Sequence, residues 1–123
     1  MAHILIIDDD PDIRDLLSVY LESEGHALSH AENGQDGIEQ AQSSTPDLII
    51  LDINMPVMDG LKLISLIRGE QNLSRMPICV ITTEGAKEDR ERAITLGANE
   101  YLTKPIQANK VLAVAKSLLK LAD

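Results

Sequence analysis

Three consecutive aspartates, Asp8, Asp9 and Asp10, follow a short aliphatic run near the start of the chain, and a fourth, Asp52, closes another such run. Thr82 and Thr83 close a third run, and Lys104 comes just after a fourth. Carboxylates about 5 Å apart repel by roughly 3 kcal/mol per pair at an effective dielectric near 20, so stability gives no reason to gather them. A bound cation does. Oxygen-only ligands drawn from a few acidic residues suit Mg²⁺, which keeps several waters and leaves a position for a phosphate oxygen. Lys104 then supplies a fixed positive charge for that phosphate, and Thr82 a hydroxyl donor. Phosphoryl transfer needs this kind of positioning and charge neutralisation. Asp52 is the candidate nucleophile, because a carboxylate can form a covalent acyl phosphate. Taken alone, three acids after one strand read equally well as a solvated loop with a helix cap. Their coincidence with Asp52, Thr82 and Lys104 is what points to a site.

The elements that must hold these residues are legible as alternating patterns. Ile4 to Ile7, Leu48 to Leu51 and Ile78 to Ile81 are continuous aliphatic runs, as expected of parallel strands covered on both faces, and Tyr101 to Leu102 is a briefer one. Ala27 to Ala31 alternates poorly, and only its position between two helical segments argues for a strand. The clearest helix puts Ile13, Leu16, Leu17, Tyr20 and Leu21 on one face, with Asp10 placed to cap, Pro11 in the first turn and Gly25 to stop it. Further helices are expected near Gly34 to Gln42, Met58 to Arg68 and Ala86 to Leu96, the last of these notably polar. The final helix carries Val111, Val114, Ala115 and Leu118 on one stripe, flanked by Leu112 and Leu119. Five β-then-α units in tandem imply right-handed crossovers and helices on both faces of a parallel sheet, a doubly wound α/β fold. In such a sheet the ligand site lies beyond the carboxyl ends of the strands, which is where the unusual polar residues fall.

The chain has 123 residues, the size of one domain, and no linker-like tract divides it. Its two aromatic residues are both tyrosines, so the core must be aliphatic. A net charge of −9 repels nucleic acid phosphate and anionic lipid while suiting divalent cations and basic partner surfaces, so direct nucleic-acid binding is not expected. Cys79 is the only cysteine and sits inside an apolar run, which excludes an internal disulfide and fits a reducing, cytoplasmic setting. No apolar stretch approaches the length of a membrane span, the opening residues lack the pattern of a signal peptide, and no output domain is visible after the last helix.

ILIIDDDP, LIILDINMPVMDG, PICVITTEG and GANEYLTKPI, in this order and spacing over essentially the whole chain, resemble the successive signatures of response-regulator receiver domains, in the CheY-like single-domain format. The resemblance implies a five-stranded parallel sheet of order 2-1-3-4-5. It implies that Asp52 is phosphorylated by a histidine kinase or phosphotransfer protein, with Mg²⁺, which Mn²⁺ can replace, held by Asp9 and Asp52 directly, by Asp8 through water and by the Asn54 carbonyl. Lys104 would contact the acyl phosphate, Thr82 would move to bond it, and Tyr101 would change rotamer as Thr82 moves. Lys104 and Pro105 would be joined by a cis peptide bond. Pro56 and Gly60 would shape the turn after Asp52, and Asn54 and Glu84 would tune dephosphorylation. Three positions depart from the family pattern: Thr83 stands where Ala or Gly is common, Ile106 where Phe is common, and Asp10, read as a helix cap, where Glu is frequent.

The resulting expectation is a switch and not an enzyme with an external substrate: phosphorylation of Asp52 changes the affinity of the face formed by the last two helices and the fifth strand for a downstream protein target. The alternatives are a receiver fragment of a longer DNA-binding or enzymatic regulator, and a small Mg²⁺-dependent aspartyl phosphohydrolase. The second lacks support, since that class expects an aspartate as general acid where Asn54 stands.

Overall fold

The computed structural model describes residues 2–55, 57–83 and 87–122, with the side chains of the last helix described to residue 120. Five strands alternate with five helices. They are β1 (His3–Ile7), α1 (Pro11–Glu22), β2 (Ala27–Ala31), α2 (Gly34–Ser44), β3 (Leu48–Leu51), α3 (Gly60–Gly69), β4 (Ile78–Thr82), α4 (Lys87–Leu96), β5 (Glu100–Thr103) and α5 (Ala108–Ala122). All strand pairs are parallel, in the order β2-β1-β3-β4-β5. The chain therefore steps from β1 to one side, returns across it and continues in the other direction. The carboxyl ends of β1 and β3 are neighbours at that reversal, the crevice where doubly wound sheets take ligands.

Side chains on the three central strands alternate between two cores. Leu5, Ile7, Ile49, Leu51, Ile78 and Val80 pack with Ile38 and Ala41 of α2, Leu63, Ile64 and Ile67 of α3, and Ala93 of α4. Ile4, Ile6, Leu48, Ile50, Cys79 and Ile81 pack on the other face with Leu17 and Leu21 of α1 and Val111, Ala115 and Leu118 of α5. Each buried Leu or Ile contributes about 1.5–3 kcal/mol relative to exposure. Both strand faces are thus covered, which is why these runs are continuous. β2 is an edge strand with only Ala31 buried, which explains its weak pattern. Among the described residues, no helix is long and apolar enough to cross a membrane.

Local chemistry adjusts several expected boundaries. The third helix begins at Gly60 instead of Met58, because Asp59 caps it by accepting from the Lys62 N–H and the Gly60 N–H goes to the Ile53 carbonyl. β5 extends beyond Tyr101 and Leu102 to include Glu100 and Thr103, the latter exposed and so without an apolar signal. α2 runs on to Ser44, where Ser43 and Ser44 return their hydroxyls to the Gln40 carbonyl. α1 is capped by Asp10 as expected, its side chain accepting from the Asp12 N–H at 2.9 Å.

Candidate functional site

The buried polar or charged side chains among the described residues are three: Asp8, Asp52 and Thr82, at 3%, 5% and 0% exposure. All three lie at the carboxyl ends of neighbouring strands. Burying a carboxylate is costly without partners, so each one's surroundings indicate what the site is built for.

Asp8 is the first residue beyond β1, its N–H donating to the Ala31 carbonyl of β2, and Asp52 is the first beyond β3, its N–H donating to the Ile7 carbonyl of β1. The sheet register therefore fixes both backbones. One side-chain oxygen from each of Asp8, Asp9 and Asp52 lies within 4.8 Å of the other two. Lys104 spans the two buried acids, with Nζ 3.1 Å from Asp8 Oδ2 and 3.0 Å from Asp52 Oδ2. The remaining oxygens of these acids accept main-chain donors: Asp8 Oδ1 from the Asp10 N–H at 2.9 Å, and Asp52 Oδ1 from the Asn54 N–H at 3.1 Å. Asp9 is exposed and has no hydrogen-bond partner among the described residues.

Three further contacts shape the site. The Lys104 N–H donates to the Thr82 carbonyl at 2.8 Å, and the Lys104–Pro105 bond is cis. A Cβ on Gly60 would lie 2.5 Å from the Asp52 carbonyl oxygen and 2.7 Å from Ile53 Cα, so only glycine lets α3 start this close beneath Asp52. The Arg14 guanidinium on α1 donates from Nη1 to the Asp8 main-chain carbonyl at 2.6 Å. Reading the sequence did not single out Arg14, since a bond to a main-chain carbonyl leaves no mark in residue types.

Burial raises the Asp8 carboxyl above its ordinary value; the Asp10 N–H and Lys104 charge pull it down without cancelling that, and the Asp52 charge adds to it. For Lys104, burial alone would lower the ammonium, but the hydrogen bonds and charges of Asp52 and Asp8 more than reverse this and raise it. Three carboxylates and one ammonium leave two net negative charges in a small volume. Oxygen-only donors with that residual charge fit a hard divalent cation.

Thr82 lies on β4 beside β3; Leu51 pairs with Val80, so Thr82 sits one residue further along than Asp52. Tyr101, level with Val80 on β5, is buried in the same core as Ala93 and Ala98. It also lines a cleft of about 360 Å³ between α4, β5 and α5, with Arg90 and Lys110 at its rim. The structure thus pairs Lys104 with Asp8 and Asp52 and gathers Asp9 beside these two acids, with Asn54 bonded to Asp52, Thr82 at the end of the next strand, and Tyr101 on β5 opposite Val80. Glu84 and Pro56 lie outside the described residues.

Residues 4–116 match the model of the response regulator receiver domain. The chain is 34% identical over 119 residues to the protein PilH of Pseudomonas aeruginosa, covering 97% of this chain and 98% of PilH. It is 37% identical over 123 residues to the DNA-binding dual master transcriptional regulator RpaA of Synechocystis, covering all of this chain but 51% of RpaA. The chain therefore spans about half the length of some curated relatives and nearly all of others. The crystal structure of the chemotaxis response regulator CheY4 of Vibrio cholerae superposes with a TM-score of 0.90 at 31% identity, over 96% of this chain and 98% of that one.

Proposed function

The chain belongs to the response regulator receiver domain family, and we propose that it is a phosphorylation switch in which Asp52 accepts a phosphoryl group from the phosphohistidine of a sensor kinase or phosphotransfer protein. The observation that carries this reading is a buried carboxylate at the end of a central strand, ion-paired to Lys104 and clustered with two further acids. An Asp52 carboxylate oxygen attacks phosphorus, and the P–N bond to the donor imidazole breaks with its electron pair leaving on nitrogen. Lys104 already bonds Asp52 and is positioned to follow the charge onto the new acyl phosphate. Asp9 and Asp52, the Asn54 carbonyl, and Asp8 through water would hold Mg²⁺, which when bound neutralises charge on the transferring group.

The buried Thr82 hydroxyl is the donor that turns to the phosphoryl group, and Tyr101 changes rotamer with it. The rearrangement biases two states of the α4-β5-α5 face, on which Arg90 and Lys110 present positive charge to a downstream protein target. Asn54, next to Asp52, and Glu84 tune the lifetime of the phosphoryl group. The chain turns over no external substrate, and a histidine kinase partner implies a cytoplasmic setting. The proposal concerns the receiver unit over residues 4–116, whichever of the two formats of its relatives it shares.

Acetyl phosphate with Mg²⁺, followed by intact mass, tests this. The reading predicts a single phosphoryl adduct that needs Mg²⁺ and is absent from Asp52→Asn. An adduct that persists in Asp52→Asn, or no adduct and no phosphate release, overturns it.

A further inference from the structure

The exposed Asp9 carboxylate reaches the cluster with no hydrogen bond to any of the described residues to hold it. Its position is therefore set by the backbone that carries it, above all by the peptide unit joining Asp8 to Asp9. The Asp8 N–H is fixed by the Ala31 carbonyl, and the Asp8 side chain by Lys104 and the Asp10 N–H. The Asp8 carbonyl, one end of the peptide unit that leads to Asp9, lies past the last rung of the sheet and is held by Arg14 at 2.6 Å. A charge-assisted bond of this length is among the stronger ones available to a main-chain carbonyl.

Arg14 is in turn anchored to the same turn, its N–H donating to the Asp10 carbonyl at 3.1 Å, while Asp10 caps the helix on which Arg14 rides. The first turns of α1 and the acidic turn thus form one closed hydrogen-bonded unit. Among the described residues, Arg14 makes no ion pair with any carboxylate of the cluster; its one guanidinium partner is the Asp8 carbonyl.

We infer that Arg14 is a positioning residue for the cation site: by fixing the Asp8–Asp9 peptide unit it holds the Asp9 carboxylate where the metal needs it. The inference rests on the reading of Asp8, Asp9 and Asp52 as a Mg²⁺ site. It makes a prediction opposite in sign to simple electrostatics. A guanidinium near the site repels a dication, so if charge were its only effect, removing it would tighten Mg²⁺ binding. If positioning dominates, removing it weakens binding despite the charge relief.

The test is the urea midpoint of the whole chain as a function of MgCl₂ at constant ionic strength, which gives the affinity through linkage. Arg14→Met keeps an unbranched apolar stem but removes both donor and charge; Arg14→Lys keeps a cationic donor; Arg14→Gln is a second neutral variant whose amide, two bonds short of the guanidinium nitrogens, does not reach the carbonyl, in case the Met variant does not fold. The expected result is a five- to tenfold weaker Mg²⁺ affinity in the Met and Gln variants and an affinity within about twofold of wild type in Arg14→Lys. Unchanged or tighter binding in the neutral variants overturns the inference and leaves the metal site standing. A wild type whose midpoint does not respond to Mg²⁺ overturns the metal site itself.

Discussion

Neutralising Asp9 is predicted to stabilise the metal-free protein. Its carboxylate lies within 4.8 Å of those of Asp8 and Asp52, and, unlike them, it has no ion pair with Lys104. At that separation two like charges repel by about 3.5 kcal/mol at an effective dielectric of 20 and by about 0.9 kcal/mol in bulk water. Because Asp9 is exposed, the aqueous figure is the closer one. Two such pairs make Asp9→Asn worth about 1–2 kcal/mol in stability, or roughly 4–8 °C in thermal midpoint for a chain of this size. Asp52→Asn gains less, because relief of repulsion is offset by loss of the 3.0 Å contact with Lys104. The assay is urea denaturation in EDTA and at increasing Mg²⁺. Wild type gains about 2.7 kcal/mol when Mg²⁺ reaches a hundred times its dissociation constant, whereas Asp9→Asn responds weakly, so the two curves cross. If Asp9→Asn is less stable than wild type in EDTA, or gains as much from Mg²⁺, the acids are not a metal site held at an electrostatic cost.

Lys104→Met leaves Asp8 and Asp52 buried without their cation and should cost about 3 kcal/mol at neutral pH. Because the folded-state pKa of Lys104 is raised, the stability it contributes is fully present below the ordinary lysine value of 10.5 and is lost as pH rises through the raised value; the variant should lack that alkaline loss in pH-dependent denaturation. Gly60→Ala forces a methyl to within 2.5 Å of the Asp52 carbonyl oxygen and should cost about 2–3 kcal/mol while slowing phosphorylation, both measurable on one preparation; an equally stable, equally reactive variant refutes the close approach. Val57, a β-branched residue at φ 72° and 82% exposed, should stabilise the fold by about 1 kcal/mol when changed to Gly, as read by urea midpoint. The Cys79 thiol, buried and pushed up to about 12 by burial and by the Glu100 charge, should react with a maleimide at pH 7 only at the rate of unfolding, and rapid labelling of the native protein would contradict its packing.

Much of this architecture was legible in residue order. Continuous aliphatic runs mark β1, β3 and β4 because both faces of those strands are buried, and the polar residues that close them mark the site. β2 and β5 were harder because edge strands bury only part of themselves, so their composition is set as much by solvent as by core. The apolar Met58 suggests an earlier start for α3, whereas the cap at Asp59 decides where the helix begins. At the site, residue types indicated Asp8, Asp9, Asp52 and Lys104 but not that Lys104 pairs with two of the acids, which depends on β5 lying beside β4 and on the backbone bond from Lys104 to Thr82. Arg14 left no signal because it acts on a main-chain oxygen, which every residue has.

The most direct test of the switch is to identify the residue that carries the phosphoryl group. Protein treated with acetyl phosphate and Mg²⁺ is reduced with borohydride, which converts an aspartyl phosphate to homoserine, and is then digested and sequenced by mass spectrometry. The account predicts homoserine at position 52 alone. Homoserine at position 8 or 9, or a phosphoryl group that resists borohydride because it sits on a hydroxyl or imidazole, would contradict Asp52 as the acceptor.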